Sequence, residues 1–278
     1  MTSRTSFAPG KIILSGEYGV LFGHPGIAVP SRLGVRATFD EDAALRRIEI
    51  RWEGNEQWLP YVERIVAACE ERNGGFYGRL TISSNVPIGK GMGSSTALII
   101  AVTHSLLRDA REAALRIEDE LSPGNSGLDF ATIWTGGSIL FSKETGAKPI
   151  ALPDFSHEAV LIDTGLPNES TTELVAWMKN REGEIGEALK TIGDCTERLA
   201  RGEPLAVVMR DHHKAQVALG VVPPGVQELI SAIESVGGAG KVVGAGSRTG
   251  GAGMVLALGD KKTSGDIARK WHMPTMTP

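Results

Sequence analysis

Three glycines alternate with other residues in Pro87-Ile88-Gly89-Lys90-Gly91-Met92-Gly93 and run straight into Ser94-Ser95-Thr96. Upstream, Leu80-Thr81-Ile82-Ser83-Ser84 alternates as a half-buried strand does, and downstream residues 97–107 are apolar and helix-forming. The stretch predicts a strand, a glycine-rich loop and a helix N-terminus. Such a loop has no Cβ atoms to hold a ligand away, and its N–H groups can converge on an anion. The unpaired amides and positive dipole end of the following helix add to the attraction, so a phosphate is the natural occupant. The pattern is neither a Walker loop, which needs Lys-Ser/Thr after its last glycine, nor a G-x-G-x-x-G dinucleotide fingerprint. The plain alternative is a tight turn before a helix capped by Ser94 or Ser95.

Other residues have chemistry to offer around it. Lys11 sits where a Pro9-Gly10 turn meets a short apolar strand over residues 12–14, which Gly16-Glu17 ends. It is either a surface lysine whose stem lies along apolar neighbours, or a cation beside an anionic site, able to lower a substrate hydroxyl's pKa. Glu118-Asp119-Glu120 closes a helical stretch, where acids oppose the dipole. The cluster is a solvated turn, or one carboxylate holds a divalent metal. Asp129, between Leu128 and Phe130, is a cap or loop-end residue, or a general base toward an alcohol. Thr171 opens a helix through the capping-box pattern Ser170-x-x-Glu173. His212 and His213 adjoin, point to different helix faces and lack an i, i+4 partner, which reads as surface or core histidine rather than catalysis. Arg248 interrupts a glycine-rich loop over residues 244–253, where it either touches a phosphate or lengthens an exposed hairpin; the hairpin is the reading taken.

The elements that must position these groups begin with a β-rich third, with strands expected over 26–30, 33–39 and 47–51. A helix over 57–71 turns Trp58, Val62, Ile65, Val66 and Cys69 to one side, as a core stripe does. Two helices fill 94–121 with a joint at Arg108-Asp109, and a turn-rich loop over 122–132 leads toward a strand. A buried strand over 159–165 follows, then helices over 170–175, 182–201, 204–219 and from 222 to 235. Residues 237–258 read as strand, glycine-rich loop, strand. The tail beyond Asp260 carries little signal.

At 278 residues with 41% apolar and 22% charged residues, the chain can bury the core of one large domain or two smaller ones. A net charge of -4 without a Lys/Arg block leaves no footprint for nucleic acid. Apolar runs fall far short of the roughly 20 residues that cross a bilayer, and residues 1–6 are polar, so a cytoplasmic protein without a membrane partner is expected. Cys69 and Cys195 lack metal-ligand spacing and read as buried free thiols.

In their order along the chain, these stretches resemble the GHMP kinase superfamily, which includes galactokinases, homoserine kinases, mevalonate kinases and phosphomevalonate kinases. Ala8-Pro9-Gly10-Lys11 to Gly16-Glu17 is similar to its first motif, residues 87–97 to its phosphate loop, and Gly244-Ala245-Gly246 onward to its third, glycine-rich motif. The mevalonate kinase branch is most similar. Its catalytic loop, Asn-Pro-Ser-Gly-hydrophobic-Asp, is met with one position missing by Asn125-Ser126-Gly127-Leu128-Asp129, and Glu118 stands eleven residues before Asp129, as that branch's magnesium-binding glutamate does. Residues 167–175 resemble the branch's Pro-Arg-Ser-Thr segment, with Glu169 at the arginine position. Tyr18 departs from the histidine common in mevalonate kinases; Gly-Glu-Tyr is frequent in phosphomevalonate kinases. The segment between Ser95 and Asp129 is also short for the branch.

The resemblance implies an α+β fold in two lobes: an N-terminal domain, residues 1–148, like domain 2 of ribosomal protein S5, and a ferredoxin-like domain, residues 149–278, with the site between them. It implies transfer of the γ-phosphoryl of ATP to a small-molecule alcohol, mevalonate foremost. ATP would lie on Pro87, Gly89, Lys90, Gly91, Met92, Gly93, Ser94, Ser95 and Thr96, and Mg²⁺ on Ser94 or Ser95 with Glu118. Asp129 would take or orient the hydroxyl proton and Lys11 would stabilise the developing charge. Glu17, Tyr18, His24 and Thr171 would face the substrate. A phosphorylated acceptor would need further cations, with Lys90 and Arg248 the only obvious offers. A sugar or homoserine kinase and a non-catalytic nucleotide sensor are the other readings, and the presence of Lys11, Glu118 and Asp129 speaks against the sensor. A homodimer is compatible with all of them.

Overall fold

Two long antiparallel strands, β1 (Ser3–Ser15) and β2 (Gly26–Glu41), pair from Ser3↔Asp40 to Ser15↔Ile27 in the computed structural model, which describes residues 2–278. The expected Pro9-Gly10 turn is instead a bulge within β1, with the register shifting between Pro9 and Lys11. Gly10 permits it: a Cβ there would stand 2.9 Å from the Val86 side chain and 3.0 Å from the Met92 carbonyl. A bulge re-aims the next side chain, here that of Lys11. The two strands expected over 26–30 and 33–39 are likewise one, because β1 pairs along both halves of β2.

Beyond β2 come β3 (Ile48–Arg51), α1 (Leu59–Asn73), β4 (Gly78–Ser84), α2 (Ser94–Leu106), α3 (Ala110–Leu121), α4 (Leu128–Thr135), β5 (Ile139–Ser142) and β6 (Gly146–Pro149). The sheet runs β3-β4-β2-β5-β6, with β1 on the other edge of β2. The core stripe of α1 is as expected, with Val62, Ile65, Val66 and Cys69 buried. Only Ser95 and His104 of α2 escape burial, which is why its sequence is apolar all round. The loop expected over 122–132 ends early. Leu128, Phe130, Thr132 and Ile133 bury one side of α4, and the turn residues before Gly127 masked that short period in the sequence.

The second sheet is assembled from β7 (Ala159–Asp163), β8 (Ala239–Val242), β9 (Met254–Leu258) and β10 (Thr275–Met276), in the antiparallel order β10-β7-β9-β8. Helices α5 (Thr171–Lys179), α6 (Glu182–Ala200), α7 (Leu205–Leu219) and α8 (Pro224–Ser235) fill the first crossover, and α9 (Lys261–Lys270) the second. This is the circuit of a ferredoxin-like sheet with extra helices. The tail is therefore ordered: Asp260 caps α9 by accepting from the Thr263 amide at 2.8 Å. One apolar cluster joins the lobes, running from β1, β2 and α2 to Leu161 of β7, Met209 of α7 and Leu256 of β9. Both cysteines are free and buried. Among the described residues no helix is long and apolar enough to cross a membrane.

Candidate active site

A cleft of about 410 Å³ opens at the N-terminus of α2 and is lined by residues of both lobes. The glycine loop delivers the chain to it: Gly89, Gly91 and Gly93 all have φ near +70 to +83°, a region costly for a residue with a Cβ. Gly93 is the helix N-cap and no side chain caps the helix, so the turn-and-cap alternative has no hydroxyl behind it. The first-turn amides of Ser95 and Thr96 have no partner inside the helix, the geometry that binds an anion. Ser94 is turned inward, its Oγ accepting from the Gly89 amide at 3.1 Å, whereas Ser95 is exposed in the cleft.

Lys11 and Asp129 meet beside this helix end. Lys11 is 3% exposed; its Nζ lies 3.1 Å from Asp129 Oδ1 and donates to the Gly91 carbonyl at 3.0 Å. Asp129 itself sits in the first turn of α4, where a carboxylate suits the helix dipole. Ser126 and Asn125 accept from the Leu128 and Gly127 amides and shape that turn.

Glu118, in the last turn of α3, is buried at the same place. Its Oε1 accepts from Thr96 Oγ1 at 2.8 Å, and its Oε2 has no partner. Burial pushes its carboxyl up to about 7 in spite of the Thr96 hydrogen bond, with Asp129 and Asp119 adding to the rise. Thr96 thus orients Glu118. A buried carboxylate oxygen without a partner, next to an exposed serine hydroxyl and an anion-binding helix end, suits Mg²⁺, which takes one or two protein ligands and completes its shell with phosphate oxygens and water. Glu118 and Ser95 fit it better than Ser94, whose hydroxyl is already engaged.

The glycine-rich loop between β8 and β9 braces the loop that carries Gly91. A Cβ on Gly91 would fall 2.2 Å from the Val243 carbonyl oxygen, and one on Gly244 2.7 Å from Gly91. The Met254 amide donates to the Lys90 carbonyl at 3.1 Å, and the Lys90 side chain pairs with Asp163 at the end of β7. Glu169 closes this arrangement, accepting from Ser247 Oγ, the Arg248 amide and Thr249 Oγ1. Arg248 stacks on Trp177, its guanidinium 4.6 Å from the ring centre.

Several expected contacts are corrected by this geometry. The Met92 side chain is wholly buried in the core, and neither it, Pro87 nor Lys90 lines the cleft. His24 is not in the cleft either; it packs on α6, where a Cβ on Gly193 would come 2.5 Å from its Nδ1. Glu17 reaches the cleft wall, but its carboxylate is committed: it pairs with Lys241, and its Oε2 lies 3.0 Å from His212 Nε2. Burial would raise the Glu17 carboxyl, but Lys241 and His212 outweigh it and hold it down to about 2. Burial itself pushes His212 down. Lys241, wholly buried, also donates at 2.9 Å to the carbonyls of Ile13 and Val242. A lysine among apolar strand residues is the signal that marks Lys11 in the sequence, and Lys241 carries the same signal. Tyr18 lines the cleft with its hydroxyl donating to the Ala245 carbonyl at 2.6 Å. It holds φ +61°, a strained conformation for a bulky residue. Thr171 does line the cleft, at the first position of α5 after the capping box of Ser170 and Glu173.

Residues 60–137 match the GHMP kinases N terminal domain. Mevalonate kinases of Thermococcus gammatolerans and Archaeoglobus fulgidus are 29% and 28% identical to the chain, each over 86% of it and over 85% and 88% of their own lengths. In fold the chain is similar to the mevalonate kinase of Methanococcus jannaschii, with a TM-score of 0.79 at 17% identity, covering 99% of this chain and 97% of that one. The domain match falls on α1 to α4, the elements that carry the glycine loop, Glu118 and Asp129.

Proposed function

We propose that this protein is a mevalonate kinase, transferring the γ-phosphoryl of ATP to the 5-hydroxyl of mevalonate. The observation that carries the chemistry is the Lys11–Asp129 pair, 3.1 Å apart at the foot of α2, beside the unpartnered oxygen of Glu118. The acceptor follows from the relatives, which are mevalonate kinases along most of their length.

The triphosphate lies against the first-turn amides of α2 and the loop from Gly89 to Gly93. Asp129 holds the acceptor hydroxyl and receives its proton as the oxygen attacks the γ-phosphorus. The bond from that phosphorus to the β–γ bridging oxygen breaks, and ADP leaves. Lys11 offsets the charge gathering on the attacking oxygen. Glu118 and Ser95 would hold Mg²⁺, which would supply charge neutralisation to the phosphates when bound. A loose phosphoryl transition state asks for positioning and electrostatics more than covalent work, which suits a site of pre-set dipoles and one buried cation.

Phosphomevalonate is the less well-served acceptor. Both cations it would call on are engaged elsewhere, Lys90 with Asp163 and Arg248 on Trp177.

Asp129→Asn and Lys11→Ala test the assignment. Each is expected to lower kcat by roughly 10²–10⁴-fold, the usual worth of a positioned acid–base or electrostatic group, while ATP affinity by calorimetry changes only a few-fold. Near-normal turnover in either variant would remove that residue from the mechanism.

A further inference from the structure

The charges lining the cleft sort into pairs, with two left over. Lys11 is met by Asp129, and Glu17 by Lys241. Glu118 keeps one oxygen for a cation. The other unmatched charge is Lys179. Among the described residues Lys11 and Lys179 are the only cations lining the cleft, and no carboxylate pairs with Lys179, whereas nearby Arg181 is taken by Glu184.

Its position follows from helical spacing. Thr171, Val175 and Lys179 stand at i, i+4 and i+8 on α5 and all line the cleft, while the adjacent row of Leu174 and Met178 is buried and anchors the helix. Val175 and Leu21 belong to one apolar cluster, so the floor beside this stripe is hydrocarbon. The stripe therefore offers a hydroxyl at one end, apolar surface in the middle and an ammonium at the other end. The position of Glu169, just before the N-cap of the same helix, supplies no cation, and its carboxylate ties down Ser247 and Thr249. The triphosphate has its own anion site in the other lobe, at α2.

We infer that Lys179 binds the carboxylate of the acceptor and so selects a short aliphatic hydroxy acid bearing a single negative charge. The inference deepens the kinase reading and rests on it. A single exposed ammonium matches one carboxylate. An acceptor carrying both a carboxylate and a phosphate would leave its second anion unmet.

The test uses the purified full chain with Mg-ATP, mevalonate, and 3-methylpentane-1,3,5-triol, in which the carboxylate is replaced by a neutral hydroxymethyl group. Lys179→Met is expected to raise KM for mevalonate by roughly ten- to thirty-fold, the scale of one partly exposed charged hydrogen bond, with KM for ATP unchanged. Lys179→Arg should restore most of the affinity. On the triol, wild type and Lys179→Met should have equal kcat/KM. An unchanged KM for mevalonate, an equal loss on the triol, or a rise in KM for ATP instead would each overturn the role of Lys179 while leaving the kinase intact. A wild type that phosphorylates neither compound would overturn the acceptor reading, and the anchor with it. Because Lys179 is exposed, misfolding does not confound the variants, and far-UV circular dichroism checks this.

Discussion

Lys11 and Lys241 are both lysines almost without solvent, and the protein meets the desolvation of each differently. Lys11 faces a carboxylate that is itself open to the cleft, so its counter-charge is available to substrate. Lys241 is sealed with Glu17 and two backbone carbonyls, with no solvent reaching it. The difference has a pH consequence. Glu17 is held at about 2 in the fold, below its ordinary 4.5, so its stabilising contribution is complete above about pH 4.5 and is lost as pH falls from there toward 2. By urea unfolding, Glu17→Gln should cost on the order of 3 kcal/mol at pH 7, and the gap to wild type should close near pH 2. A gap that stays constant with pH would mean that Glu17 is not ionised in the native state.

At the scale of elements, the site is two glycine loops pressed together and a helix aimed at the cleft. Gly91 is the contact point, with φ +83° and a would-be Cβ 2.2 Å from the Val243 carbonyl. Gly91→Ala should destabilise the fold by about 1–3 kcal/mol and raise KM for ATP. Gly202→Ala, at φ +90° with nothing within 4 Å, should cost no more than the backbone strain and leave KM alone. Equal effects on KM would place the loop's role elsewhere. Much of this was legible in the chain. The alternation of 80–84, the glycines and the apolar run gave strand, loop and helix, and local signals gave α1, α3 and α5 to α8 within a few residues. What the sequence concealed was non-local. The bulge at Gly10 and the continuity of β2 depend on which strand lies alongside, and α4 is too short to display its period behind a run of turn residues. The same limit explains the site. Asp129 and Glu118 were findable from type and spacing. The engagement of Glu17 with a lysine 224 residues away is a fact of tertiary packing.

For the whole molecule, the two halves of the chain share an apolar core and both line the cleft. The first supplies Lys11, Glu118, Asp129 and the phosphate loop; the second supplies Thr171, Val175 and Lys179, together with the glycine loop that braces Gly91. On the proposed reading, nucleotide chemistry falls to the first and the acceptor's anionic end to the second. The most direct measurement is ADP release coupled to a reporter, with Mg-ATP and a panel of mevalonate, 5-phosphomevalonate, homoserine, galactose and no acceptor. The account predicts turnover with mevalonate, well above every other member of the panel. Turnover with 5-phosphomevalonate in preference to mevalonate, or none with any acceptor while ATP still binds, would contradict it.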